Sequence, residues 1–167
     1  NVITEVNKGW TVAKALLGYE RSIIGRAIGS QMSDAEGKLV GLARRHLDEP
    51  EGALSDVFMR HEIAQVGMDE QCFAYTLRRI QQAREGGKAP GPESSILKLF
   101  GSDLKQKWWE LGTRIAGAQA SGWDGPGFED EDLTMTREWL RSRGNTIEGG
   151  TSEIQLNIVA KRVLGLP

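Results

Sequence analysis

The chain has 167 residues, enough for one substantial core, and 39% hydrophobic with 26% charged residues is the composition of a folded globular domain. A net charge of −2 gives no overall field to attract nucleic acid or anionic lipid. A single cysteine, Cys72, rules out an internal disulfide framework and suits a reducing compartment such as the cytoplasm, and with only His46 and His61 beside it a zinc site is not expected.

In chain order, the first helical pattern starts near Asn7 or Lys8. Trp10, Ala13, Leu16, Leu17, Ile24 and Ile28 recur at threes and fours and predict a buried stripe. Gly18, Gly25 and Gly29 inside it each cost about 1 kcal/mol relative to alanine, which points to close helix contacts. The pattern continues through Leu39, Val40, Leu42 and Ala43 to Leu47, where "DEPEG" (Asp48 to Gly52) stops it. A second pattern follows Ser55, with Phe58, Ile63, Val66, Phe73, Leu77 and Ile80 as its apolar face, and ends at "REGGKAPGPESS". A third begins near Pro92 with Ser94 or Ser95 as its cap, and carries Leu97, Phe100, Leu104, Trp108, Leu111 and Ile115. "ASGWDGPGFEDED" reads as a loop, Thr134 to Arg143 as a short helix, and a last helix starts around Ser152 with Ile154, Ile158, Val159 and Val163. No alternating run bounded by hairpin turns signals a strand. The expected fold is all-α, an up-and-down four-helix bundle of three long helices and a shorter fourth, with no boundary inside residues 1–167.

Three places can carry chemistry. Glu20 and Arg21 lie inside the apolar stretch "LLGYERSIIG". A carboxylate desolvated among such residues is raised in pKa and suits a general base, whereas the same pair on a polar helix edge is ordinary surface. The segment Glu148-Gly149-Gly150-Thr151-Ser152-Glu153 leads into the last helix, with Ser152 and Gln155 in capping-box spacing. Its glycines allow a sharp turn and close approach of another molecule, and free N–H groups there suit a phosphate, although a plain glycine-rich helix start reads the same way. Trp108 and Trp109 can stack on a ring, but tryptophans at helical spacing more commonly pack in a core. Arg44-Arg45 and Arg78-Arg79 read as solvated faces, and the spacing gives no Walker loop, dinucleotide fingerprint or Ser-His-Asp set.

Three stretches, "NKGWTVAKALLGYERSIIG", "PESSILKLFGSDLKQKWWELG" and above all "TIEGGTSEIQLNIVAKRVLGLP", resemble the C-terminal domain of acyl-CoA dehydrogenases, and the similarity covers nearly the whole chain. The resemblance implies a flavoprotein whose N-terminal helical and middle β-domains are not in this chain. The opening residue, which is not Met, agrees with an excised domain. It implies FAD as cofactor and α,β-dehydrogenation of an acyl-CoA thioester, in which a glutamate removes the α-proton while a hydride leaves the β-carbon for flavin N5. Electron-transferring flavoprotein is the implied redox partner, and self-association as a dimer or tetramer, or with a paralogous subunit, the implied assembly. Neither nucleic acid nor a membrane span is implied.

In most of the family the base is a glutamate directly before the Gly-Thr of the final motif, a position held here by Gly149, with Glu148 one residue too early. A minority branch, resembling isovaleryl- and long-chain acyl-CoA dehydrogenases, supplies the base from the first bundle helix, directly before an arginine. That position is Glu20, followed by Arg21. The resemblance therefore implies Glu20 as base and Arg21 as its support, with Glu148 or no functional base as alternatives. It implies Gly149, Gly150, Thr151 and Glu153 as cofactor-binding residues. The family's Arg-x-x-Phe-Gly loop is absent, "DEPEGALSDVFMR" stands near its place, and Arg114 stands where glutamine is usual. These departures resemble a divergent bacterial branch and leave two further expectations: a non-catalytic or oligomerisation subunit of a heteromeric dehydrogenase, and an acyl-CoA oxidase or flavin monooxygenase on the same fold. An isolated bundle is expected to be inactive.

Overall fold

A computed structural model describes residues 2–47, 54–88 and 91–167. Among them the regular structure is entirely helical: α1 (Gly9–Gln31), α2 (Ala35–His46), α3 (Val57–Glu85), α4 (Ser94–Ala116), α5 (Asp130–Ser142) and α6 (Ser152–Ile158). The all-α bundle expected from the apolar periodicity is the architecture found, with α4 as its central helix, packed against all five others.

The first helical pattern is two helices. It breaks at Asp34, a non-glycine residue in the left-handed region with φ 58°, and α2 sets out on a new axis. The break is held from outside. The Glu70 carboxylate on α3 accepts from the backbone N–H groups of Asp34 (2.7 Å) and Ala35 (2.9 Å), which caps α2 in place of a local side chain. Local reading misses this because the capping residue lies 35 positions away on another helix. The stop expected at Asp48 to Gly52 lies outside the described residues.

The core takes Ile28 and Met32 from α1, Leu39, Leu42 and Ala43 from α2, Ile63, Val66 and Phe73 from α3, and Leu97, Leu104, Leu111 and Ile115 from α4. Of the glycines Gly18, Gly25 and Gly29 in α1, two mark close contacts: a Cβ on Gly25 would stand 3.0 Å from Leu97 Cβ, and one on Gly29 2.8 Å from Leu77 Cδ2. Gly18 faces open space. Trp108 and Trp109 meet edge to face and both pack against the core, and the Trp108 indole donates to the Ala35 carbonyl at 2.8 Å. They behave as structural tryptophans.

Several expected positions differ. Trp10, Leu16 and Leu17 are exposed in this chain, Trp10 by 69%, and so is Phe58 by 84%; the buried stripe of α1 begins only at Ile24 and Ile28. Helical periodicity identifies an apolar face but not which molecule covers it. Ile154 and Val163 are likewise exposed. Neither Ser94 nor Ser95 caps α4 by accepting a hydrogen bond; the Ser94 hydroxyl instead donates to the Gly91 carbonyl at 2.9 Å. The helix expected from Thr134 begins four residues earlier, because Asp130, Glu131 and Asp132 favour the positive end of its dipole. No helix among the described residues is long and apolar enough to cross a membrane.

Candidate functional site

The turn from Ile147 to Thr151 joins a short 3₁₀ turn (Arg143–Thr146) to α6. Gly149 and Gly150 have φ values of 68° and 96°, a region costly for any residue with a Cβ. Thr151 caps α6, its hydroxyl accepting from the Ile154 N–H at 3.5 Å. The capping box expected at Ser152 and Gln155 is therefore shifted by one residue and lacks its reciprocal half. Gln155 turns back and donates to the carbonyls of Gly149 (2.9 Å) and Gly150 (3.4 Å), fixing the turn from within.

The two other helices at this turn are α1 and α4. A Cβ built on Gly149 would lie 2.5 Å from Ile24 Cδ1 and 4.0 Å from Lys98 Cε. Ile24 is one helical turn from Glu20, on the same face of α1. The segment expected to hold the cofactor and the helix expected to hold the base are thus neighbours. Glu20 itself is exposed in this chain. Arg21 follows it within α1; its side chain lies outside the described residues.

Glu148 points elsewhere. Its carboxylate takes a bond from Arg141 at 2.7 Å and another from the Asn145 amide. Burial pushes its carboxyl up, but the Arg141 and Asn145 hydrogen bonds and the nearby positive charges outweigh that and hold it below the usual carboxylate range. A carboxylate stabilised in its charged form in this way is a poor acceptor for a weakly acidic C–H proton. Glu153 is held below its ordinary range by its own backbone N–H and by the Thr151 hydroxyl.

Sequence reading missed the polar stripe of α4 beneath the turn. Ser95, Lys98, Ser102 and Lys105 recur at threes and fours beside the apolar stripe, and all four are buried. The Ser102 hydroxyl bonds the carbonyls of Lys98 (2.7 Å) and Asn145 (2.9 Å), tying α4 to the 3₁₀ turn. Burial lowers the pKa of both lysines; the carboxylates of Asp103, Glu148 and Glu153 oppose this at Lys98. The signal was the spacing itself, a second periodic set of polar residues on a helix whose apolar face was already assigned. Arg114, unusual for the resembled family, forms an ion pair with Glu62 at 2.6 Å across α3 and α4.

The turn suits the edge of a polar cofactor. Among the described residues nothing accepts from the N–H groups of Gly149, Gly150 or Thr151, the two glycines bring no side chains, and Ile147 and Ile154 lie exposed alongside. Free donors flanked by apolar surface fit FAD, which combines acceptor-rich edges with a flat aromatic body. Among the described residues no group of three or more His, Cys, Asp or Glu side chains is placed to hold a metal ion.

The comparisons with known proteins bear on the family and the fold. Acyl-CoA dehydrogenase FadE34 of Mycobacterium tuberculosis is 31% identical over 99% of this chain, which spans only 21% of that protein's length. A solved steroid ACAD, Tcur3481-Tcur3483, superposes with a TM-score of 0.79 at 23% identity over 98% of this chain and 41% of its own. The ChsE4-ChsE5 complex from Mycobacterium tuberculosis superposes with a TM-score of 0.63 at 21% identity, over 80% of this chain and 35% of its own. The family model for the acyl-CoA dehydrogenase C-terminal domain matches residues 7–164, and the chain belongs to that family.

Proposed function

We propose that this chain is the C-terminal helical bundle of a larger FAD-dependent acyl-CoA dehydrogenase, with Glu20 as the base that removes the α-proton of an acyl-CoA thioester. The observation that carries the reading is the contact of Ile24 with Gly149, which brings the Glu20 face of α1 to the bare turn at the start of α6. FAD, when bound, supplies the acceptor for the hydride leaving the β-carbon. The free N–H groups of Gly149, Gly150 and Thr151 hold its polar edge, and Glu20 takes the proton. Glu20 is exposed in this chain, so the water exclusion that a carbanion-forming step requires comes from the rest of the protein and from the substrate. Arg21 supports the site from the next position in α1, and Glu153 flanks the cofactor edge. By itself the bundle has no turnover.

The exposed apolar residues fit the same reading. Trp10, Leu16, Leu17 and Phe58 on the outer faces of α1 and α3 form contact surface for the preceding domains or for another subunit. Solved structures of similar fold include a complex of two chains, which favours, as a second reading, a heteromeric assembly in which this subunit contributes packing rather than chemistry. The test is the full-length protein, purified alone, loaded with FAD and assayed with a dye acceptor and with electron-transferring flavoprotein against a panel of acyl-CoA thioesters. Flavin retention and dye-coupled turnover support the enzyme reading. Flavin retained only after a paralogous subunit is added favours the heteromeric one. Rapid reoxidation of the reduced flavin by oxygen favours an oxidase or monooxygenase.

A further inference from the structure

Lys98 stands near the N-terminal end of α4 with no exposed surface, and its ammonium has no hydrogen-bond partner. Burying an ammonium in this way destabilises a fold, and an apolar side chain of the same length would fill the space without that cost. Lys98 Cε comes within 4.0 Å of a Cβ placed on Gly149, directly behind the turn. Two buried acceptors also lack donors, Asn145 Oδ1 and Gln155 Oε1. Both belong to residues that already hold the turn: Gln155 through the carbonyls of Gly149 and Gly150, Asn145 through Glu148 and through Ser102. A buried ammonium packed against the turn, with unpartnered acceptors on the two residues that hold it, is polar chemistry that the fold by itself does not require.

We propose that Lys98 is a positioning residue that fixes the shape of the Gly149–Thr151 turn for the cofactor, its buried side chain packed against the turn from α4. With the turn fixed, its three free N–H groups keep a constant spacing. Without Lys98 the same turn samples several arrangements and loses binding energy to ordering. The proposal rests on the reading of the turn as a flavin-binding element. It does not depend on Glu20 being the base.

The experiment uses the full-length protein with Lys98→Met, titrated with FAD, and follows flavin fluorescence, the visible absorption and circular dichroism bands of the bound flavin, and the melting of the flavin-free protein. The expected result is a dissociation constant for FAD raised about tenfold, equivalent to about 1.4 kcal/mol of binding free energy. An altered visible dichroism band and a flavin-free melting temperature no lower than the parent's accompany it. Unchanged affinity and an unchanged band overturn the proposal. So does a flavin-free variant that melts far below the parent, since that assigns Lys98 to the fold itself. If the parent protein binds no FAD either alone or with a paralogous subunit added, the flavoprotein reading fails and this proposal with it. If Glu20→Gln keeps full turnover while Lys98→Met loses flavin, only the base assignment fails.

Discussion

Ile24 and Gly149 occupy each other's space: a Cβ on Gly149 would lie 2.5 Å from Ile24 Cδ1. In most acyl-CoA dehydrogenases, by resemblance, the residue at this place carries the catalytic glutamate. Here the space is filled from α1, and the backbone at position 149 has a φ of 68°. Gly149→Ala is expected to destabilise the protein by about 1–2 kcal/mol, read as a lowered melting temperature. Moving the base back is expected to fail for the same reason, so Glu20→Gln combined with Gly149→Glu shows no recovered dehydrogenation in the dye-coupled assay.

Glu148 contributes to the fold through Arg141 and Asn145. Its folded-state pKa is depressed, so its contribution is present above the unfolded value of about 4.3 and is lost as pH falls through the lower folded value. Melting temperatures of the parent and Glu148→Gln are therefore expected to differ near pH 7 and to converge at acid pH. A gap that stays constant down to strongly acid pH contradicts the role assigned to the ion pair.

Leu104 faces the centre of the core from α4 and is 1% exposed. Leu104→Ala removes buried methyl groups where α4 meets the helices around it, and a loss of about 2–5 kcal/mol is expected in thermal or denaturant unfolding. The same change at the exposed Leu16 is expected to leave unfolding of the separate bundle within about 0.5 kcal/mol of the parent. In the full-length protein Leu16→Asp is expected to weaken docking or assembly, measured by size-exclusion chromatography with light scattering.

The helices were legible where one periodic face meets this chain's own core, as for Ile63, Val66 and Phe73 or Leu97, Leu104 and Leu111. They were misread where a partner lies elsewhere. The break before α2 depends on Glu70 from α3, and no local signal encodes that capping bond. Trp10 and Leu16 have core-like spacing but face outward, since a sequence pattern marks a face for burial without saying against what. The candidate site was legible in part. The glycine turn and Glu20 were both named, and Ile24, which joins them, was read only as a core residue. Lys98 is hidden in the sequence because a lysine beside the apolar stripe of α4 has the pattern of a solvated helix edge, whereas here it is buried.

The most direct test of the account compares Glu20→Gln with Glu148→Gln in the full-length, FAD-loaded protein, by dye-coupled dehydrogenation of its preferred acyl-CoA. Glu20→Gln is expected to lower kcat by about 10²- to 10⁴-fold, the usual contribution of a general base, while flavin content stays unchanged and Glu148→Gln keeps most of its activity. Full activity in Glu20→Gln, or its loss only in Glu148→Gln, contradicts the assignment.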